Sequence, residues 1–110
     1  MARRRSPPQP PPEPAPITPP PLAPSLSSEF KRDVKRLAKQ GQELDKLFAV
    51  IETLCARQGL EVRHRDHALV GNWQGCRECH VEGDWLLIYQ MDGDRLALLR
   101  SGTHSELFRK

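Results

Sequence analysis

The sequence lacks a long apolar run: no segment reaches the roughly 18 apolar residues that a transmembrane helix requires. Residues 1–5 carry three arginines, but the apolar stretch of a secretory signal does not follow them. Both absences favour a cytoplasmic protein without a membrane partner. In that compartment the three cysteines, Cys55, Cys76 and Cys79, are expected to stay reduced.

Proline is absent from residues 25–110, because all 11 prolines lie within residues 7–24. Residues 1–28 are therefore predicted to form a disordered or polyproline-II tail, since proline has no backbone donor for a helix or a central strand. The predicted folded domain is residues 29–110. Its length, about 80 residues, is small but sufficient for one hydrophobic core.

The domain also has little net charge. The chain has a formal net charge of +3, yet residues 29–110 contain 14 basic and 13 acidic residues. Bulk charge therefore does not identify a partner, and nucleic-acid binding would require a local basic patch.

Apolar spacing predicts two helices in the first half of the domain. Residues 28–40 repeat apolar side chains at helical spacing, with a serine cap before them and Gly41 after them. A second run from Leu44 to Gly59 carries one apolar stripe, on which Cys55 is expected to be a core thiol. Together the runs predict a helical hairpin with an apolar seam.

The second half changes to the alternating pattern of strands. After an irregular segment, tight turns at 82–84 and 92–94 separate three predicted strands, residues 75–81, 85–89 and 95–100. Residues 101–108 predict a turn and a short helical turn. This order gives an α+β fold, with two helices packed on an antiparallel sheet of three to four strands.

One local pattern, Cys76-x-x-Cys79-His80, matches the haem-attachment signature of c-type cytochromes and supplies half of a zinc site. A cytoplasmic location argues against haem. A strand argues against zinc, because residues 76 and 79 then point to opposite faces of the sheet. The cysteines are interpreted as half-buried strand residues, and neither metal nor cofactor is predicted. A small zinc-binding protein is the least favoured alternative.

Strand parity and tight turns gather chemically useful side chains at one edge of the predicted sheet. Parity places Cys76, Glu78 and His80 on one face. The residues expected to converge at the edge are His80, Asp84, Trp85, Arg100 and His104, with His67 joining from the preceding loop. Each histidine alone fits a solvent-exposed side chain, but the set as a whole suits cleavage of RNA without a metal.

Such cleavage needs a proton removed from the 2′-hydroxyl, a stabilised phosphate and a proton donated to the 5′-oxygen. Histidine titrates near neutrality and serves either proton step. Arginine holds a phosphate by a bidentate contact, and an aromatic ring stacks on an unpaired base.

Three runs resemble the YafQ branch of the RelE-type toxins, the ribosome-dependent mRNA interferases of bacterial type II toxin–antitoxin systems. They are FKRDVKRLAKQGQELDKL (30–47), RDHALVGNWQGCRECHVEGDWLLIY (65–89) and LLRSGTHSELF (98–108). H-x₃-DWLLIY followed by R-x-GTH-x₃-F is specific as a combination. The resemblance implies a RelE-like fold, cleavage of mRNA in the ribosomal A site, and a cognate antitoxin of ribbon-helix-helix type as the resting partner.

The matching motifs also imply the site: catalytic His67, His80, Asp84, Arg100 and His104, with Trp85 and Phe108 shaping the pocket for the substrate. His104 and Asp84 are the preferred proton-transfer pair, and Arg100 would hold the scissile phosphate. His67 and His80 would orient the RNA or share the proton transfer. Trp85 has the alternative of a core position, and His64, which matches no motif, is expected to be exposed.

Two departures from the family pattern bear on this interpretation. Relatives often carry proline where this chain has Gly83; glycine is expected to adopt the same turn but to loosen the loop that holds Asp84. Relatives usually begin with a short strand, whereas PLAPSLSS is a poor strand. Either that edge strand is lost or short, or residues 1–25 are not part of the natural start.

Two functions of different class remain open from the sequence. The first is a toxin endoribonuclease. The second is a catalytically degenerate relative that binds RNA or the antitoxin without cutting.

Overall fold

A computed structural model describes residues 20–108 and shows a small α+β domain. Residues 1–19, which contain most of the predicted tail, lie outside the described residues, as do residues 109–110. The elements follow in the order β1 (Ala23–Leu26), α1 (Ser28–Lys39), α2 (Leu44–Cys55), β2 (His67–Ala68), β3 (Arg77–Glu82), β4 (Trp85–Asp92), β5 (Arg95–Gly102) and α3 (His104–Leu107). Within residues 20–108 no helix has the length and apolarity to cross a membrane.

Helix α1 begins where the sequence predicts. The side chain of Ser27 accepts a hydrogen bond from the backbone N–H of Phe30 at 3.0 Å, which satisfies one donor of the first turn. Phe30 and Leu37 are buried on the face turned towards the sheet. The helix ends at Lys39, one residue before the predicted end.

Helix α2 begins at Leu44 as predicted but ends at Cys55 rather than at Gly59. Arg57 adopts a left-handed conformation with φ of 59°, and the N–H of Gln58 bonds to the carbonyl of Thr53. This pattern is a Schellman cap, which terminates a helix. A non-glycine residue fills the left-handed position. The expectation that a glycine follows the last helical residue therefore placed the end of α2 too late.

The sheet has five strands in the order β1-β5-β4-β3-β2. Strands β2 to β5 are antiparallel, whereas β1 pairs parallel with β5. The sheet is therefore mixed, and the expectation of a purely antiparallel sheet of three to four strands is corrected.

The stretch PLAPSLSS supplies the extra strand, which corrects its description as a poor strand and moves ordered structure into residues expected to be tail. Leu22 is buried, and the N–H of Ala23 bonds to the carbonyl of Asp94 at 2.8 Å. Pro24 is tolerated because an edge strand has a sheet partner on one side only. The proline content hid this strand from composition-based analysis.

The core has two parts, one on each face of the sheet. The helices cover one face, where Cys79, Leu87 and Tyr89 are fully buried. On the other face, Leu86 and Ile88 pack with Leu107 of α3. The partly buried side chains of Leu69 and Trp73 pack against the same cluster. This second cluster forms the floor beneath the candidate site.

Candidate active site

Asp84 and His104 make the central contact of the site. Asp84 lies in the turn between β3 and β4, and its Oδ1 is 2.5 Å from Nδ1 of His104. This hydrogen bond lowers the pKa of Asp84 below its ordinary value. The predicted pair is therefore in contact, and Asp84 holds the ring of His104 by its Nδ1 edge.

Helix α3 presents His104 because its N-terminus is firmly capped. Thr103 accepts a hydrogen bond from the N–H of Glu106, and the Glu106 carboxylate accepts one from the N–H of Thr103, which together form a capping box. His104 is then the first helical residue, with its side chain 53% exposed.

His80, near the end of β3, is oriented by its own turn. Its Nδ1 lies 2.8 Å from the carbonyl oxygen of Gly83, so that nitrogen carries the proton and donates. Nε2 of the neutral ring is then an available proton acceptor. The ring centroid lies 6.0 Å from that of His104.

Gly83 has a φ of +53°, which proline cannot reach because its ring fixes φ near −65°. The turn in this chain is therefore not the one a proline would make, contrary to expectation. Its hydrogen bond to the His80 ring ties the turn to β3.

Glu78 is a member of the site that sequence reasoning missed. Its side chain is 5% exposed and lies between two histidines, with Oε2 3.3 Å from Nε2 of His67 and Oε1 3.4 Å from Nε2 of His104. Among the described residues, Oε1 has no hydrogen-bond partner. Strand parity with His80 was the signal that could have identified it.

His67 is brought in by β2, whose two residues pair with β3 so that His67 lies opposite Glu78. Its Nδ1 lies 2.7 Å from the carbonyl oxygen of Arg65, which requires a proton on that nitrogen. The expectation that His67 joins the site from the preceding segment agrees with this geometry.

Two aromatic rings border the histidines. The ring centroids of Phe108 and His104 are 5.9 Å apart. Trp73 packs edge-on to Phe108, with ring centroids 6.0 Å apart. Phe108 occupies the predicted place. Trp73 was not among the predicted site residues, because it lies in an irregular segment where no periodicity fixes its direction.

Trp85 does not border the histidines, because it belongs to the hydrophobic core on the helix side of the sheet. It is 4% exposed, and its Nε1 donates to Oγ of Ser101 at 2.9 Å. This burial favours the alternative of a core position over the predicted contact with substrate. Leu86 pairs with His80 and lies on the same face as His80, so the preceding residue, Trp85, points to the helix side by strand alternation.

Arg100 faces a buried carboxylate. Its Nε donates to Oδ2 of Asp33 at 2.7 Å and its Nη2 to Oδ1 at 3.2 Å. Asp33 also accepts from the backbone N–H of Ser101 at 3.0 Å and from Nη1 of Arg36 at 2.7 Å. Asp33 therefore occupies the edge of the guanidinium formed by Nε and Nη2 and leaves Nη1 as the nitrogen that could reach a phosphate.

Arg36 extends this network to the helix that carries His104. It pairs with Glu106 at 3.0 Å and donates to the carbonyl of Ser101 at 2.8 Å. Gly102 lets the guanidinium pass, because a Cβ at that position would lie 2.6 Å from Nη2 of Arg36. The R-x-GTH motif thus has a packing reason as well as a chemical one.

His64 is buried, contrary to the expectation of an exposed side chain. It is 9% exposed, and its Nδ1 lies 2.6 Å from the carbonyl oxygen of His80. It lines a cavity of about 610 Å³ between α2 and β3, on the side of the sheet away from the other histidines.

Cys76 and Cys79 belong to different faces of the core, as predicted, but both are buried rather than half-buried. Cys55, which was expected in the core, is only partly buried against it. Burial raises the pKa of the Cys79 thiol to about 12, which disfavours the thiolate needed for a metal or a nucleophile. Across residues 20–108 no three His, Cys, Asp or Glu side chains are grouped so that they could hold a metal ion.

Known proteins are similar to this chain in sequence and in fold. A family model described as the bacterial toxin of type II toxin–antitoxin systems, YafQ, matches residues 22–109. The chain belongs to the YafQ family. The YafQ mRNA interferase toxin of Escherichia coli K12 is 37% identical over 75 residues, which cover 67% of this chain and 82% of that protein.

Solved structures of similar toxins agree with the fold. A copper-bound mutant toxin from Helicobacter pylori has 41% identity and a TM-score of 0.76, covering 79% of this chain and 99% of that one. YafQ in the E. coli DinJ–YafQ toxin–antitoxin complex has 35% identity and a TM-score of 0.74, covering 79% and 97%. The match beginning at residue 22 supports the assignment of β1 to the YafQ domain.

Proposed function

We propose that this YafQ-family toxin is an endoribonuclease that cleaves mRNA in the ribosomal A site without a metal ion. The supporting observation is the contact set around Glu78, in which one buried carboxylate faces His67 and His104 while His104 is held by Asp84. The relatives' name, mRNA interferase, supports the same substrate class.

The hydrogen bonds assign different tasks to His80 and His104. His80 keeps its proton on Nδ1 and offers Nε2 as the base that takes the proton of the 2′-hydroxyl. The 2′-oxygen then attacks phosphorus, and the bond from phosphorus to the 5′-oxygen breaks. His104 is the acid for the leaving 5′-oxygen, because Asp84 holds its Nδ1 and leaves Nε2 as the nitrogen that can pass on a proton. The products are a 2′,3′-cyclic phosphate and a free 5′-hydroxyl, so no water or metal enters the balance.

The remaining residues of the site bind the RNA and its phosphate. His67 orients the RNA, and Phe108 with Trp73 offers an aromatic surface to a base. Arg100 would contact the phosphate through Nη1, the nitrogen that Asp33 does not engage.

A cleavage assay on translating ribosomes tests this function. Purified toxin is added to ribosomes stalled on a defined mRNA, and primer extension locates the cut. We expect cleavage within the A-site codon and its loss in His104→Ala, while Val62→Ala, at a position 92% exposed, cleaves like the wild type. Binding of ribosomes or RNA without any cleavage would refute catalysis and favour the degenerate binding module.

The second part of the proposal is a resting complex with a cognate antitoxin of ribbon-helix-helix type, formed in the cytoplasm where the ribosomes are. The E. coli DinJ–YafQ complexes support it. Co-expression with the product of an adjacent short reading frame should yield a stable complex and suppress cleavage. Failure of every adjacent product to bind would contradict it.

A further inference from the structure

His64 joins two segments that carry site histidines, although it belongs to no recognised motif. It ends the 3₁₀ turn Val62–His64, which precedes β2, and its Nδ1 lies 2.6 Å from the carbonyl oxygen of His80 on β3. A carbonyl accepts only, so Nδ1 carries the proton and donates. This side chain is thus an anchor between the turn before His67 and the strand at His80.

The segment between His64 and His67 needs an anchor. Arg65 has a φ of 46°, in the left-handed region that non-glycine residues rarely adopt. Such a conformation persists where the surrounding structure fixes it. The carbonyl of Arg65 is also the group that holds Nδ1 of His67, at 2.7 Å. The direction of the His67 ring therefore depends on a strained residue adjacent to His64.

Anchors lie on both sides of this strained residue. Asp66, on the far side, accepts hydrogen bonds from the hydroxyl of Tyr89 at 2.6 Å and from Nε of Arg77 at 3.2 Å. On the near side, the hydrogen bond from His64 to His80 connects the 3₁₀ turn to β3 by a side chain. Loss of that bond would release one end of the strained residue while leaving the other in place.

We propose that His64 is a positioning residue, which fixes the spacing between His67 and His80 by donating a hydrogen bond to the backbone of His80. It does not contact the RNA, because its side chain lies against the cavity behind β3. This inference rests on the proposed endoribonuclease function for its kinetic consequence, but its geometric consequence stands alone.

The matched variants are His64→Asn and His64→Leu. Asparagine places an amide N–H where Nδ1 of histidine lies, whereas leucine has a similar size and no donor. In single-turnover cleavage on programmed ribosomes, we expect His64→Leu to lower the rate at saturating toxin by about 10- to 100-fold. The toxin concentration for half-maximal rate should stay unchanged, and His64→Asn should cleave like the wild type.

Two kinetic outcomes would overturn the proposal. One is a wild-type rate in His64→Leu. The other is equal impairment of the asparagine and leucine variants, which would indicate that the imidazole itself acts. If His64→Leu fails to fold, His64→Gln replaces it. Glutamine carries its amide one atom further from the backbone, so it should not reach the carbonyl of His80. The cleavage rate of His64→Gln should then fall by the amount expected for His64→Leu.

A structural measurement separates this inference from the proposed function. Ring signals of His67 and His80 in NMR spectra should move in His64→Leu and stay in place in His64→Asn, with a smaller change at His104. Unchanged signals in both variants would refute the positioning role. If the wild type cuts no RNA but these signals move, the proposed function fails and the inference on geometry survives.

Discussion

Two aspartates, Asp33 and Asp84, show how the same carboxylate serves different ends in one small domain. Burial of Asp33 acts to raise its pKa, but hydrogen bonds from Arg100, Ser101 and Arg36 outweigh burial, so its pKa lies below the ordinary value. The side chain of Asp84 is 58% exposed, and the His104 hydrogen bond alone dominates the lowering of its pKa. A buried carboxylate that is bonded to three residues holds the fold. An exposed carboxylate that is bonded to one histidine suits chemistry.

The largest expected effect is on stability, at Asp33. Asp33→Ala leaves the guanidinium groups of Arg36 and Arg100 without their shared partner, and we expect the free energy of unfolding to fall by about 3–5 kcal/mol. Urea denaturation at neutral pH measures it. Asp94→Ala, at a side chain 88% exposed, is the control and should change little. A loss at Asp33 no larger than at Asp94 would erase the contrast between buried and exposed aspartates.

The second effect is on activity, at Asp84. Asp84→Asn removes the negative charge that holds His104, and we expect the saturated cleavage rate to fall roughly 10²- to 10⁴-fold. The melting temperature should stay unchanged because the side chain is exposed. Asp94→Asn serves as the matched control. Loss of folding with retained specific activity would reverse the roles assigned to the two aspartates.

Glu78 lies between these cases, since it is buried like Asp33 yet faces the site like Asp84. Glu78→Gln removes a buried charge whose Oε1 has no hydrogen-bond partner among residues 20–108. We expect cleavage to slow by about 10- to 100-fold while the protein remains as stable or becomes more stable. Rate measurements paired with urea denaturation check both halves. A destabilised variant would show that Glu78, like Asp33, stabilises the fold.

Acid should weaken the fold through Asp33. Its pKa in the folded protein lies below the ordinary value for an aspartate, so the unfolded chain binds more protons in this range and stability rises with pH. The contribution is complete above about pH 3.8 and is lost as pH falls through the folded pKa. Comparing urea denaturation of the wild type and Asp33→Asn from neutral to acid pH isolates it. An equal acid loss in both proteins would show that other carboxylates are responsible.

The smallest effect concerns Trp85. Trp85→Phe keeps a large ring in the core but loses the hydrogen bond to Ser101, which should cost about 1 kcal/mol of stability. The cleavage rate should not change. A slower rate in a well-folded variant would mean that the indole reaches the RNA after all.

Sequence periodicity predicted α1, the start of α2, the three long strands and α3, because their apolar spacing and turns are local properties. It also predicted the convergence of His80, Asp84 and His104, since tight turns between strands fix which ends meet. The strand β1 was hidden by proline, whose cost vanishes at a sheet edge. Strand parity groups Trp85 with the core residues Leu87 and Tyr89, whereas His64 lies in a 3₁₀ turn, where no periodicity fixes the direction of a side chain.

Hydrogen bonds that depend on distant segments were also beyond reach from the sequence. The pairing of Asp33 with Arg100 joins residues 67 positions apart, and nothing local distinguishes Asp33 from an ordinary helix surface residue. Glu78 was placed on the correct face by parity, but its two histidine neighbours depend on the pairing of β2 with β3.

The parallel pairing of β1 with β5 has a consequence for synthesis of the chain. The bond from Ser27 to Leu99 spans 72 residues, so the first strand finds its partner only when the last strand has been made. Such non-local pairing slows folding. His104 and Phe108 also lie in the final segment, so the site and the sheet edge are completed at the same late moment. A nascent chain therefore lacks both until β5 and α3 have been synthesised.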